Sequence, residues 1–443
     1  MKDVVCPYCG CLCDDIEVRT SGNMITEVCN ACKVGDHVFS RPTSRELVPR
    51  IRVKSGDLKD VRADHFHDAT LDESLTQAAM LLEKAERPVL FGWSSTSTET
   101  ICEGLDLAEE LGALVDNCSS FCHGPSIQAI QEVGISSATL GEVLNHADCV
   151  VYWGSNPAAS HDRHLSRYTV FPQGAFREKG RDDRKVVVVD VRPTGTAEVA
   201  DKFIKVRPGS DYETLCALRM LVQGKDVPDP IEGVPLDELR WLSDTLKSSE
   251  FCAFFFGLGL TTSTGRHRNV DALLSLIRDL SEHTKAVVLP MRGHYNVTGA
   301  CEAFTWRTGY PFAVDLSRGH PRYNPGETDL FPVLSSGECD CLLVVASDPA
   351  AHLPLKSLGA LRRIPVIVID PVWNVTSELA DVYIPCTFTG IESEGTAYRM
   401  DGVPVRMRAP LSAPGGLLPD REIVHRLRKE VARLREKEPT EYS

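Results

Sequence analysis

The chain lacks any long hydrophobic run. Its most apolar stretch, Phe251 to Leu260, falls well short of the about twenty residues that a membrane-spanning helix needs, so no membrane partner is expected. It also lacks a basic stripe: 62 acidic against 48 basic residues leave a net charge of −14, which argues against nucleic acid as a partner. Most of those acids read as solvated surface. The opening Met1-Lys2-Asp3-Val4-Val5-Cys6 carries neither an apolar signal core nor a twin arginine, and a cytoplasmic location is expected. In that compartment the sixteen cysteines are better read as metal ligands and buried thiols than as disulfides. With 443 residues, 42% of them apolar, the chain has material for about three domains with ample core.

What it has in abundance is cysteine at the start. Cys6, Cys9, Cys11 and Cys13 fall within thirteen residues, and Cys29 and Cys32 follow. Thiolates at C-x2-C-x3-C, with a fourth from further along, can wrap an iron-sulfur cube because short spacings let one turn point several sulfurs inward. The second pair, Cys29-x2-Cys32, keeps a tetrahedral zinc site open as the rival reading. The extra cysteine in the first group favours the cluster, with Cys6, Cys9 and Cys13 as first ligands. Cys32 is the better fourth, because Lys33 supplies a nearby cation and Gly35 lets the chain turn away. Cys11 and Cys29 are then spare.

Beyond a basic and polar stretch from Arg50 to His67 and a helical pattern from Leu71 to Glu86, β-rich runs alternate with helical ones. Strands are expected at Pro88 to Trp93, Leu114 to Asn117, Cys149 to Gly154, Lys185 to Val191, Phe203 to Val206, Phe251 to Phe256, Ala286 to Pro290, Cys341 to Ser347, Pro365 to Asp370 and Val382 to Pro385. Such alternation predicts an α/β chain whose parallel sheets carry helices on both faces. Several strands end in turns of the kind that bind nucleotides in doubly wound folds. Val150 to Trp153 runs into Gly154-Ser155-Asn156-Pro157, and the next long strand ends in Asp190-Val191-Arg192. An acid there can hold ribose or guanine donors, and an arginine can hold phosphate. Ser347-Asp348-Pro349 and Asp370-Pro371 repeat the arrangement. Each alone is more often only a turn; the duplication points to two related nucleotide-like ligands.

These residues carry a resemblance. The Cys6/Cys9/Cys13/Cys32 group with Lys33, the stretch Gly154 to His161, the run from Asp190 through Ala200-Asp201 to Pro208-Gly209-Ser210-Asp211, and Arg292-Gly293-His294 through Cys301 together resemble the molybdopterin oxidoreductases of the formate dehydrogenase type. Closer still, Cys-Pro-Tyr-Cys-Gly-Cys-Leu-Cys-Asp-Asp at the start and Cys122-His123-Gly124-Pro125-Ser126 resemble the B subunits of formylmethanofuran dehydrogenases. The resemblance implies one 4Fe-4S cluster and a molybdenum or tungsten ion held by two molybdopterin guanine dinucleotides. Cys122 matches the protein ligand to that metal, His123 would orient or move a proton beside it, and Arg292 would hold the substrate carboxylate. Gly154, Ser155, Asn156, Asp190, Arg192, Gly209 and Asp211 would contact one dinucleotide, Gly257, Gly259, Asp348 and Asp370 the other, and Gly395 and Thr396 would lie near the pterins. A lone Cys-His pair is otherwise mostly core packing.

The resemblance further implies a small N-terminal iron-sulfur domain, 1–55, followed by two doubly wound, Rossmann-like α/β domains, 56–121 plus 293–420 and 122–292, with a charged helical tail, 421–443. In that tail Ile423, Val424, Leu427, Val431 and Leu434 fit an amphipathic helix packed on its own domain. The C-terminal β-barrel of full-length family members is not expected in this chain; the family then supplies it as a separate D subunit. The implied activity is reduction of carbon dioxide to formate in methanogenesis from CO2, with electrons entering past Lys33. Formate would pass to an amidohydrolase-like A subunit, in a complex that also has a C subunit and ferredoxin-like electron carriers and can belong to a larger electron-bifurcating assembly. Two other readings are a soluble formate dehydrogenase and a non-catalytic scaffold subunit of a formyltransferase/hydrolase complex; the presence of all five cysteines weighs against the second.

Overall fold

The structure, a computed structural model, describes residues 1–40 and 45–437; the last six residues of the expected tail lie outside them. In chain order the strands are β1 (Glu17–Ser21), β2 (Met24–Cys29), β3 (Arg50–Val53), β4 (His65–Asp68), β5 (Pro88–Gly92), β6 (Leu114–Asn117), β7 (Cys149–Trp153), β8 (Lys185–Asp190), β9 (Lys202–Lys205), β10 (Phe251–Phe256), β11 (Lys285–Pro290), β12 (Val314–Asp315), β13 (Arg322–Tyr323), β14 (Cys341–Val345), β15 (Val366–Asp370), β16 (Val382–Pro385), β17 (Gly395–Tyr398) and β18 (Pro404–Met407). All ten expected strands form. They read as unbroken Val, Ile, Leu and Phe runs because helices cover a parallel sheet on both faces.

One sheet has five parallel strands in the order β11-β10-β7-β8-β9. The chain lays down β7, β8 and β9 in one direction, then returns to place β10 and β11 on the other side of β7. The strand order therefore reverses between β7 and β10, and a crevice opens beyond their carboxyl ends. The second sheet runs β13-β12-β6-β5-β14-β15-β16-β3-β4, parallel from β6 to β16 with antiparallel pairs at both edges. Its reversal lies between β5 and β14. The polar stretch from Arg50 to His67, which shows no strand pattern in sequence, supplies the edge hairpin β3-β4. That hairpin is held by the buried Arg52–Asp64 ion pair at 2.9 Å and by Arg52 Nε donating to the Ala380 carbonyl at 2.7 Å.

Val151, Phe254 and Leu273 stand in the core on one face of the five-stranded sheet. On the larger sheet the core takes in Ile423, Val424, Leu427 and Val431 of the helix Asp420–Lys437. The amphipathic stripe of that helix packs on the helices Leu71–Glu83 and Thr98–Leu111. The N-terminal segment forms the hairpin β1-β2 and the helix Lys33–Ser40. Its cysteine turn is docked on the loop after β11, where Gly10 N–H donates to the Gly293 carbonyl at 3.2 Å and Cys9 bridges His294.

Candidate active site

Two adjoining cavities hold the cysteines of the N-terminal turn and Cys122. Cys6, Cys9, Cys13 and Cys32 border one hollow, about 440 Å3 counting its open mouth, together with Cys11. The turn that gathers them closes through Leu12 N–H to the Cys9 carbonyl at 3.0 Å and Cys6 N–H to the Cys13 carbonyl at 2.9 Å. Gly35 lets the second segment approach: a Cβ there would stand 3.2 Å from Cys6 Sγ and 3.6 Å from Cys32 Sγ. Its N–H donates to Cys32 Sγ at 3.3 Å, a contact that favours a thiolate. Cys29 lies on β2 beside Glu27, its Sγ 3.5 Å from the carboxylate, and does not reach the hollow. Lys33 begins the helix exposed and lines neither cavity.

Burial pushes the Cys6 thiol well above its ordinary range, and Cys9, Cys13 and Cys32 add to the shift; burial likewise takes Cys13 up to about 12. Thiols this close cannot all ionise unless positive charge stands among them. Among the described residues no group of three or more His, Cys, Asp or Glu side chains closes on a single ion; these thiols border a hollow instead.

Tyr8 lines that hollow and also the second cavity, a cleft of about 1760 Å3 counting its open mouth. Cys122, Cys118, Leu258, His294, Asp348 and Asp370 are among its walls. Cys122 ends the short helix Cys118–Phe121, and its thiol donates to the Cys118 carbonyl at 3.2 Å. Burial takes that thiol up to about 12, the nearby thiols of Cys118 and Cys301 adding to the shift and Arg292 pulling against it. A soft metal ion reverses this balance by taking the thiolate directly.

His123 is 1% exposed. Its Nε2 donates to the Met291 carbonyl at 3.2 Å, and its Nδ1 lies 3.2 Å from Ser126 Oγ. Burial, with Arg292 adding to it, holds its pKa down to about 3, so the ring is neutral and both nitrogens are engaged. The Nε2 contact ties the Cys122 loop to the residue before Arg292. Arg292 itself is half-buried, and its Nε is buried without a hydrogen-bond partner. Arg292 lines neither cavity; its guanidinium keeps an unused donor, and its charge acts on the Cys122 and Cys301 thiols.

The turn residues sort by sheet. Gly154, with φ +55°, packs on Gly259 so closely that a Cβ at Gly259 would stand 2.5 Å from Gly154 Cα; no other residue fits there. Gly257 and Gly259 pack against Gly154 and Ser155 at the reversal point of the five-stranded sheet. The reason is that β10 neighbours β7. Leu258 between them still reaches the cleft. Asn156 Oδ1 accepts from Thr196 Oγ1 at 2.7 Å, Asp190 Oδ1 accepts from Val191 N–H at 2.7 Å, and Arg192 is exposed. Gly209, φ +82°, turns the chain into the helix Asp211–Val222, and Asp211 is buried against Trp153 Nε1 at 2.9 Å. In the larger sheet Asp348 accepts from Thr376 Oγ1 at 2.6 Å, and Asp370 accepts from Val372 N–H at 2.8 Å. Gly395 and Thr396 lie in a separate groove, where Thr396 Oγ1 donates to Glu99 at 2.7 Å; the groove meets the cleft at Asp420, which lines both.

The sequence pattern alone gives no role to Tyr8, Cys118, Cys301 or Asp420. Cys301 Sγ lies 3.1 Å from Ser119 Oγ, and burial raises its thiol pKa with Arg292 pulling against the rise. Its place in the Arg292 to Cys301 stretch is the one signal in sequence. Asp420 opens the tail helix, where an acid is an ordinary N-terminal residue, so nothing marks it as a cleft residue.

A family model described as molybdopterin oxidoreductase matches residues 42–430. The B subunit of the tungsten-containing formylmethanofuran dehydrogenase 2 of Methanocaldococcus jannaschii is 44% identical over 97% of this chain and 98% of its own length. Among solved structures, a chain of the formyltransferase/hydrolase complex from Methylorubrum extorquens superposes with a TM-score of 0.68 at 22% identity, covering 83% of this chain and 98% of that one. Acetylene hydratase from Pelobacter acetylenicus gives 0.74 at 14% identity, over 98% of this chain and 69% of that one. Those two likenesses show the fold alone. By the family match and the identity to the Methanocaldococcus protein along nearly its whole length, the chain belongs to the molybdopterin oxidoreductases, among the formylmethanofuran dehydrogenase B subunits.

Proposed function

We propose that this chain is the catalytic subunit of a formylmethanofuran dehydrogenase and reduces carbon dioxide to formate, with two electrons and one proton consumed per molecule. The observation that carries this reading is how the parts are joined: Cys122 lines the cleft, the charge of Arg292 acts on its thiol, and the cysteine turn that borders the four-thiol hollow bonds the loop carrying Arg292 directly.

The residues fit the expected centre. Cys122 offers a soft sulfur ligand to molybdenum or tungsten, and the two strand reversals offer cradles for two pterin dinucleotides. At one, Gly154, Ser155, Asn156, Asp190, Arg192, Gly209 and Asp211 would hold the first, joined by Gly257 and Gly259. At the other, Asp348 and Asp370 would hold the second. The metal and its pterins, when bound, supply the redox chemistry. Cys6, Cys9, Cys13 and Cys32 would hold one 4Fe-4S cluster, and electrons would cross at Tyr8 and the Cys9–His294 bridge rather than past the exposed Lys33. Arg292 binds the carboxylate through its guanidinium fork and stabilises charge as it develops. His123 holds that loop in place.

The partners of this reading are a barrel-type D subunit over the cleft, a C subunit, ferredoxin-like electron carriers and an amidohydrolase-like A subunit that joins formate to methanofuran. Reconstitution with the D-type subunit should give viologen-linked formate oxidation and, by elemental analysis, molybdenum or tungsten with about four irons per chain, as one cube requires. Formylmethanofuran should appear only after the A-type subunit is added. Its synthesis by this chain alone, or a metal-loaded preparation inert toward formate, would overturn the reading.

A further inference from the structure

Three consecutive carbonyls after β11 each accept a hydrogen bond from a different part of the molecule. Met291 accepts from His123 Nε2 at 3.2 Å, Arg292 from His161 Nε2 at 2.8 Å, and Gly293 from Gly10 N–H at 3.2 Å. The three donors belong to the Cys122 loop, to the loop after β7, and to the cysteine turn. His161 is 2% exposed, and Ser160 Oγ lies 2.8 Å from its Nδ1. Because a carbonyl can only accept, Nε2 must carry the proton, and the imidazole is fixed in one tautomer.

The segment carrying His161 also grips the cysteine turn. Arg163 makes a bidentate pair with Asp15 at 2.5 and 2.6 Å, Arg167 pairs with Asp14 and Asp15, and Tyr168 hydroxyl donates to the Cys11 carbonyl at 3.3 Å. A π-helical turn, Leu165–Thr169, sets the spacing of these contacts, and such turns recur at functional sites. On the opposite side Gly10 leaves no slack, since a Cβ there would stand 2.5 Å from the Arg292 carbonyl oxygen. That one oxygen is thus held between an imidazole N–H and a glycine that cannot be enlarged.

We infer that His161 is a positioning residue for Arg292: by holding the Arg292 carbonyl it fixes the direction of the guanidinium and locks the substrate loop to the cysteine turn as one unit. This rests on the proposed function, in which Arg292 binds the carboxylate. The role is distinct from nucleotide binding, although His161 follows the loop assigned to a dinucleotide.

The test uses the reconstituted complex with its metal and cluster. His161→Ala should raise the formate KM about tenfold, the effect of losing one well-made hydrogen bond at a positioning group, with kcat changed much less and the metal content and reduced-cluster paramagnetic signal retained. His161→Gln, whose amide can reach the same carbonyl, should restore most of the loss. Independently of any substrate, hydrogen exchange in peptides covering residues 5–13 and 290–296 should quicken in His161→Ala and not in His161→Gln. Gly10→Ala, which pushes the same oxygen from the other side, should raise KM in the same way. Should His161→Ala not accumulate, His161→Asn, which keeps a polar side chain too short to reach, takes its place with the same expectations. Unchanged exchange in both peptides, or equal impairment in the Gln and Ala variants, would overturn the inference. If exchange quickens as expected but Arg292→Ala leaves KM untouched, the failure lies in the role given to Arg292 and not in the clamp.

Discussion

Asn156 and Asp348 occupy equivalent places in the two sheets. Each side-chain oxygen accepts from a threonine hydroxyl on the next crossover, Thr196 at 2.7 Å and Thr376 at 2.6 Å. Each threonine in turn accepts from the backbone N–H two residues on, Ala158 at 3.2 Å and Ala350 at 3.0 Å. The repetition extends to Asp201 and Asp381, which accept from Val186 and Val366 N–H at 2.7 and 2.8 Å. The two halves thus build their ligand loops from one pattern, differing in that one has a neutral amide where the other has a carboxylate.

The pattern makes Thr376 a structural keystone of the Asp348 loop, buried at 0% exposure. Thr376→Val keeps the volume but leaves Ala350 N–H without its partner and takes one donor from Asp348, which still accepts from the backbone N–H groups of Val375 and Thr376; the loss should cost about 1–3 kcal/mol. Thermal unfolding of the apo chain should show the loss, while Thr376→Ser should recover most of it. An unchanged midpoint in the valine variant would mean that water replaces the hydroxyl without cost.

The choice of fourth cluster ligand is tested by two cysteines three residues apart. Cys32 borders the hollow and accepts from Gly35 N–H, whereas Cys29 lies beside Glu27 on β2. Cys32→Ser should abolish or alter the paramagnetic signal of the reduced cluster, and Cys29→Ser should leave it as in the parent. The reverse result would reassign the ligand.

The strands are legible in the sequence because buried parallel strands must be apolar along their whole length, and Lys185 to Asp190 or Val366 to Asp370 have no other reading. The edge strands are not. β12 and β13 span two residues each, and β3-β4 is polar because one face meets solvent. In the sequence, the spacing of Cys6, Cys9, Cys13 and Cys32 foreshadows the hollow that all four border. The clamp on Met291, Arg292 and Gly293 is invisible there, since the accepting groups are backbone carbonyls and leave no mark in sequence. The packing of Gly257 and Gly259 on Gly154 is equally hidden, since linear order does not tell which strand becomes whose neighbour.

Asp370 lines the cleft, and burial raises its pKa to about 7 from an ordinary 3.8. Between those values the folded chain holds a proton that the unfolded chain has lost, so stability falls as pH rises through the window from about 4 to 7. Asp116, also raised to about 7 chiefly by burial, acts with the same sign. In the metal-free chain the parent's unfolding midpoint should therefore fall relative to that of Asp370→Asn as pH rises through that window, the Asp116 share being common to both. Above pH 7 the variant should be more stable than the parent. Identical pH profiles for the two proteins would show that Asp370 is ionised in the folded chain throughout.

The substrate role proposed for Arg292 is tested most directly by its replacement. The guanidinium stands near Cys122 and Cys301 with Nε unpartnered, so Arg292→Ala breaks no side-chain hydrogen bond at that atom and should leave the fold, metal and pterin content intact. What it removes is a charge aimed at the developing carboxylate, and kcat/KM for formate should fall about 10²–10³-fold, or about 3–4 kcal/mol of transition-state stabilisation. Arg292→Lys restores the charge without the fork and should recover only part of that loss. Steady-state formate oxidation with the reconstituted complex, normalised to bound metal, measures both. Turnover equal to the parent in the alanine variant would remove Arg292 from the substrate site.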